Sequence, residues 1–457
     1  MNNIEHHPAS FKDPSGFVFQ KNNIFYRQIN QTYKDDYDLL MSSGLYDELI
    51  NKKYLLSHQE INENFTGSAE RYKTILPEQL FFISYPYEWC FDQLKDAALL
   101  TLSIQKTAIR HGMILKDATH FNVQFHNGNP VFIDTLSFEK YDSSQPWVAY
   151  RQFCECFLFP LYFQKYLRID VQKLMLTYPE GIPASITKEL LPWKSNFNLG
   201  VCLHVSLQSK IKTGNNSGDY KGKFDQKKML HLVSNLEESI KGCTIKKDKT
   251  TWSTYYDETI ISQSYLSEKE IIFRKLIGSI EFKTVLDIGA NDGFFSKIIS
   301  EKATSVVSVD FDANCINSLY AYTKKQKVLN ILPLCIDFSN PTPAIGFNNT
   351  ERSSFLDRAQ FDVLLALALV HHLAISKNIP LQNIAESFQK IAKAVIVEFI
   401  SKEDEKVQQL LKHRKDIFSN YNEAEFIKAF SKYFNMISTA NIPGTNRIMY
   451  LLSRKEN

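Results

Sequence analysis

Between Thr284 and Ser453, short apolar runs alternate with amphipathic stretches, and this alternation restricts the second half of the chain to few folds. Strand candidates are Thr284–Ile288, Ser305–Val309, Ile331–Ile336, Val363–Leu367, Ala394–Phe399, Phe434–Ser438 and Ile448–Ser453. Helical patterns such as Phe294–Lys302, Ala313–Lys325 and Ile384–Ala392 lie between the first five. Repeated strand–helix units make parallel pairs, and a parallel sheet is covered by helices on both faces. Only Thr439–Asn446 joins the last two strands, which is too short for a crossover, so that pair is antiparallel.

The chain has 457 residues, 44% of them hydrophobic, which suits more than one packed core and excludes wholesale disorder. A net charge of +3 argues against a dedicated nucleic-acid binder. Met1–Ser15 lacks the apolar core of a signal peptide. The longest apolar run, Val363–Val370, falls far short of the ~20 residues that cross a bilayer. Seven scattered cysteines, with Cys154 and Cys156 at a CxC spacing but no second pair, read as reduced thiols. These features predict a cytoplasmic chain with no membrane span and no nucleic-acid partner. Gln208–Lys228, rich in Lys, Asn and Gly, reads as a linker. The expected division is a domain over 1–207, a linker and helix over 208–250, and a domain over 251–457.

The sharpest motif is V285-L-D-I-G-A-N-D-G-F-F-S296. A buried strand runs into a turn bracketed by Gly289 and Gly293, two of only 16 glycines, and a helix starts near Phe294. Glycine there allows positive φ and close approach of a ligand to the backbone. The spacing is neither the dinucleotide fingerprint nor a P-loop. Asp287 and Asp292 make the turn acidic, which repels pyrophosphate and suits an ammonium or sulfonium ligand. Asp310, at the end of the second strand, is placed to accept both hydroxyls of a ribose. Asp337 and Phe338 follow the third strand, an acid to bond an adenine amino group beside an aromatic to cover its ring. After the fourth strand comes Leu367-Ala-Leu-Val370-His371-His372-Leu373.

DIGANDGFF, VDFD, CIDF and FDVLLALALVHHL, in that order at successive strand ends, resemble the class I S-adenosylmethionine-dependent methyltransferases. The resemblance covers the chain from about Trp252 onward. It implies a Rossmann-like domain with a seven-stranded mixed sheet, the antiparallel seventh strand inserted between the fifth and sixth. It also implies S-adenosylmethionine as cofactor. Asp287, Gly289 and Gly293 then line its methionine end, Asp310 the ribose and Asp337 the adenine, and Ala290, Asn291, Phe311, Phe338 and Leu367 are further cofactor-binding candidates. Methyl transfer is an in-line displacement helped by positioning and, for a hydroxyl or amine, by a base. His371, His372 and Glu398 are the candidates for that base. Glu403–Asn422 reads as a polar helical insertion, with Arg414 an anion contact.

The first half carries a second constellation. Gly16–Asn30 reads as a hairpin turning at Lys-Asn-Asn, and Leu94–Gly112 as a long amphipathic helix. Asp117, Asn122, a hairpin and Asp134 follow. This order, over about Pro77 to Phe138, resembles the core of kinase-like phosphotransferases. That resemblance gives the chain an α+β kinase-like N-terminal domain. In it Asp117 orients an acceptor hydroxyl, and Asn122 and Asp134 hold Mg2+ for ATP. The departures are Lys116 before the Asp, DTL at the second acid, no Gly-rich phosphate loop and no assured nucleotide-binding Lys.

ISYPYEWCFDQLKDAALLTL, LKDATHFN, VFIDTLSFEKY and PWVAYRQFCECFLFPL precede the methyltransferase-like half, whose tail reads VEFISKEDEKVQQLL. Together they resemble the bacterial nodulation-protein-like (NoeA-type) methyltransferases, a likeness that runs almost the full length. It implies a small-molecule or glycan acceptor, shaped or presented by the N-terminal domain. Two other functions fit the same residues: a bifunctional kinase–methyltransferase modifying a polysaccharide end, and a non-catalytic binding module that keeps the cofactor fold.

Overall fold

The computed structural model describes residues 4–206, 208–210, 224–245, 263–412 and 415–456. The chain forms two compact units, Met1–Lys246 with Ala344–Arg352, and Lys247–Pro343 with Ser353–Asn457. Most of the expected linker, together with Arg414 and the expected domain start at 251, lies outside the described residues.

The second unit carries the seven strands expected: β1 (Thr284–Ile288), β2 (Ser305–Asp310), β3 (Ile331–Cys335), β4 (Phe361–Ala366), β5 (Ala392–Ile400), β6 (Phe434–Asn441) and β7 (Arg447–Arg454). Their order across the sheet is β3-β2-β1-β4-β5-β7-β6. The first five pair in parallel. β7 runs antiparallel to both β5 and β6, so it is inserted between the fifth and sixth strands as expected. Val285, Val306, Val363, Leu365, Ile396 and Leu451 from the strands pack with Phe273, Phe295 and Leu319 from the covering helices. Burial of such side chains stabilises the unit by roughly 1.5–3 kcal/mol each.

The helices are Phe294–Ser300, Ala313–Gln326 and Leu381–Ile391, each within a few residues of expectation. The Glu403–Asn422 insertion is shorter as a helix than expected. Among the described residues only Glu405–Leu411 is helical there, capped by the Asp404 side chain, and a separate helix, Glu423–Phe430, starts at the Asn422 cap.

In the first unit, Glu5–His6, Gly16–Lys21, Ile24–Asn30, Arg71–Pro77 and His58–Ile61 form an antiparallel sheet in that spatial order. Asn22 and Asn23 turn the first hairpin with φ of 52° and 61°, the left-handed conformation that a two-residue hairpin loop demands. The long helix is Phe91–Arg110, and Gly112 leaves it at φ 73°. Met113–Leu115 pairs with Phe138–Lys140, and the Val123–His126/Asn129–Phe132 hairpin lies between them in sequence. Helix Gln226–Lys241 packs along Phe91–Arg110, with Lys106 paired to Glu237. Cys154 and Cys156 lie in a widened helical turn, Cys154–Leu158, which buries both thiols. Among the described residues no helix is long and apolar enough to cross a membrane.

Candidate functional site

Register brings the expected cofactor residues of the second unit to one edge of the sheet. Ile288 lies beside Val309, and Asp310 beside Cys335, so β1, β2 and β3 end level with one another. Beyond β1 the chain turns sharply, with φ of 74° at Gly289, 52° at Asn291 and 80° at Gly293. The Gly289 and Ala290 amides donate to the Val309 carbonyl at 2.8 and 3.0 Å, which ties the turn to β2. A Cβ on Gly293 would stand 2.4 Å from Leu319 Cδ1 in the buried core, so this position requires glycine for packing as well as conformation.

The two acids at the turn are held by short-range contacts. Ser296 Oγ donates to Asp287 Oδ2 at 2.6 Å and itself accepts from Ser308 Oγ at 2.8 Å. Asp310 accepts from the Asn291 amide (2.9 Å) and the Asp312 amide (2.9 Å), one on each oxygen. Burial raises both carboxyls to about 6, helped at Asp287 by the Asp310 charge and at Asp310 by Asp312. Two buried carboxyls so close to neutral pH are poised to take a cationic or hydroxyl-bearing partner.

Phe311 is 57% exposed directly after Asp310 at the strand end. Asp337 accepts from the Ser339 amide (2.9 Å) and hydroxyl (2.5 Å), with Lys377 Nζ at 3.6 Å. The Phe338 ring packs against Phe388 at 5.8 Å. Leu367 is buried one residue past the end of β4. These residues fit an adenosyl group with a positively charged tail: carboxylates at the first two strand ends, an acid and an aromatic at the third.

The three candidate bases differ in their surroundings. His371 is fully buried, and neither ring nitrogen has a hydrogen-bond partner among the described residues. Burial, then His372, Arg447 and Lys269, holds it well below the usual histidine range, so it is a neutral imidazole. His372 lies beside it, ring centroids 4.1 Å apart, and burial lowers it to about 4. Glu398 is fully buried and already engaged. Lys269 Nζ stands 2.6 Å from Oε2, and Tyr265 OH donates to Oε1 at 3.0 Å. Arg447 Nη1 donates to the Tyr265 hydroxyl at 2.7 Å, and its Nε donates to Asp404 Oδ2 at 2.7 Å.

Tyr265, Lys269, Asp404 and Arg447 were not among the residues expected from the sequence. One signal did exist. Tyr265, Lys269 and Phe273 recur every fourth residue on one helix face, and a lysine in an apolar stripe needs a buried partner.

Asp117, Asn122 and Asp134 also come together, in the first unit. Asp117 accepts from the Thr119 amide at 3.1 Å and from the Asn122 and Gln152 side chains. Asn122 Nδ2 donates to Ser137 Oγ at 3.0 Å, and Ser137 Oγ donates to Asp134 Oδ2 at 2.5 Å. The other Asp134 oxygen takes the Leu136 amide at 3.2 Å and an ion pair with the Arg27 guanidinium. This donor set does not fit Mg2+, which asks for carboxylate oxygens free to face the ion.

No family model matches the chain. It is similar to the N-methyltransferase NodS of Bradyrhizobium japonicum WM9, at 11% identity over 43% of this chain and 100% of that one, TM-score 0.33. It is also similar to the bifunctional kinase-methyltransferase WbdD, at 18% identity over 44% of this chain and 42% of that one, TM-score 0.30. Along its length it is similar to the nodulation protein NoeA of Rhizobium meliloti (strain 1021). That match is 32% identical over 462 residues, covering 98% of this chain and 96% of the relative. The chain belongs to the NoeA family of nodulation proteins.

Proposed function

We propose that this chain is an S-adenosylmethionine-dependent methyltransferase acting on a small-molecule or glycan acceptor. The observation that carries the reading is the level row of strand ends: the Gly289–Gly293 turn, buried Asp287 and Asp310, then Asp337 and Phe338. The bound cofactor supplies a methyl group on a sulfonium, an electrophile that needs no further activation. Asp287 would face the positive methionine end, Asp310 would accept from the ribose hydroxyls, and Asp337, beside Phe338, would accept from the adenine amino group.

On the acceptor side, His371 takes the proton. Its imidazole is neutral, and its ring nitrogens have no hydrogen-bond partner among the described residues. Because it is fully buried, an acceptor hydroxyl or amine reaches it only when the site opens, and this weak base then passes the proton on. With the cofactor bound, the acceptor atom would take the methyl carbon as the sulfur–methyl bond breaks, and its proton would pass by way of His371 to solvent. Glu398 acts as a positioning residue: it holds Lys269, Tyr265 and Arg447 in one buried network, and the Arg447 and Lys269 charges add to burial in keeping His371 neutral. The role of the first unit is to shape or present the acceptor.

The test is transfer of tritiated methyl from S-adenosylmethionine into a cell extract, with the labelled fraction identified. Label is expected in a small-molecule or glycan fraction; label in protein or nucleic acid would refute the acceptor class. The His371→Ala variant should bind S-adenosylhomocysteine as the wild type does yet lose methyl transfer by about 10²–10⁴-fold, the range for a general base. Unchanged transfer would remove His371 from the mechanism.

A further inference from the structure

The acidic cluster of the first unit has the residue types of a metal-dependent phosphotransfer site, yet its hydrogen bonds and charges close on themselves. Asp134 is the carboxylate that would face a divalent ion. One of its oxygens receives Ser137 Oγ at 2.5 Å, and the other receives the Leu136 amide at 3.2 Å and the Arg27 guanidinium. Both side chains of that ion pair are only 14% exposed, so water competes little for either charge. Ser137 in turn accepts from Asn122 at 3.0 Å, so the amide that would be a second ligand is also committed.

Arg27 is placed there by the sheet. It sits on Ile24–Asn30, between Gly16–Lys21 and Arg71–Pro77, opposite Val18 on one side and Ile75 on the other. Its position is set by two flanking strands. A guanidinium is charged at every physiological pH, so no change of pH within that range releases Asp134. A divalent ion entering here would have to displace a fixed cation and then share the cavity with it.

We infer that Arg27 takes the place of a divalent cation in this cluster, so that the first unit keys its Asp117–Asp134 loop by an internal ion pair and binds neither Mg2+ nor a nucleoside triphosphate. The cluster is then a structural lock, and the first unit transfers no phosphoryl group. This inference does not depend on the methyltransferase reading of the second unit.

The test is titration of the full chain with Mn2+, followed by electron paramagnetic resonance, with and without ATP. Wild type should show no saturable binding tighter than about 1 mM. Arg27→Met removes the charge and leaves Asp134 unpaired near Asp117, and it should bind Mn2+ at least about tenfold tighter than wild type. Adding Asp134→Asn should abolish that gain. Saturable binding of Mn2+ or Mn2+–ATP by the wild type would overturn the inference. So would a folded Arg27→Met chain that binds no better than wild type. If Arg27→Met does not fold, Arg27→Gln, which keeps a hydrogen-bond donor without the charge, carries the same two expectations.

Discussion

Acidification should weaken cofactor binding while it relieves the burial cost of two carboxylates in the free protein. Asp287 and Asp310 each sit at about 6, against an ordinary aspartate near 3.8. Their elevation has the sign of desolvation, so the folded chain holds these protons more tightly than the unfolded chain. The contribution of these two carboxyls to folding stability therefore rises as pH falls from above 6 toward 4, by roughly 3 kcal/mol each at most. Depressed carboxylates such as Glu48 and Asp362 act in the opposite direction at lower pH. The cofactor also acts in the opposite direction. Its positive end favours the ionised Asp287, so binding must expel the proton that acidification adds. With a carboxyl at about 6, about a tenth of the free protein is ionised there at about pH 5, a tenfold loss of affinity relative to about pH 8. If Asp310 must also ionise, the loss approaches about a hundredfold. Isothermal titration with S-adenosylhomocysteine at several pH values measures this directly, and titrations in buffers of different ionisation enthalpy report the protons released. Asp287→Asn should bind more weakly at neutral pH and show a shallower pH slope. An affinity that is flat, or that strengthens, from about pH 8 to about pH 5 would refute the placement of these carboxyls against the cofactor.

Two further changes probe the frame around the site. Gly293→Ala puts a methyl 2.4 Å from Leu319 Cδ1 at φ 80°. The left-handed backbone and the overpacked core together should cost about 2–5 kcal/mol, read as a lower urea midpoint with loss of cofactor binding. Arg447→Met leaves Asp404 and part of the Glu398 charge uncompensated in a buried network, which should cost about 3–5 kcal/mol by urea unfolding. A change within about 0.5 kcal/mol would show that the network is not buried as described.

The sheet was legible because its central strands are apolar on both faces and its connections differ sharply in length. β1 has the expected boundaries, β3 stops one residue early at Cys335, β4 is shifted to Phe361–Ala366, and the other four strands run longer than expected. β6 continues past Ser438 to Asn441 because its backbone goes on pairing with β7, a bond that side-chain polarity does not reveal. β7 starts at Arg447 because Asp404 neutralises its charge, a partner remote in sequence. The cofactor acids were legible because each closes a strand. The acceptor side was less so: His371 and His372 look alike in sequence, and only the fold buries the first completely while leaving its nitrogens unpartnered. The acidic loop of the first unit shows the same limit, since Asp117, Asn122 and Asp134 suggest a metal until a strand far upstream brings Arg27 onto Asp134.

The most direct test of the central claim is a crystal structure of the full chain grown with S-adenosylhomocysteine. The account predicts the adenosyl group across the ends of β1, β2 and β3, with its ribose hydroxyls on Asp310 and its amino-acid end over the Gly289–Gly293 turn. A chain that takes up no ligand at saturating concentration, or ligand density anywhere other than this row of strand ends, would contradict it.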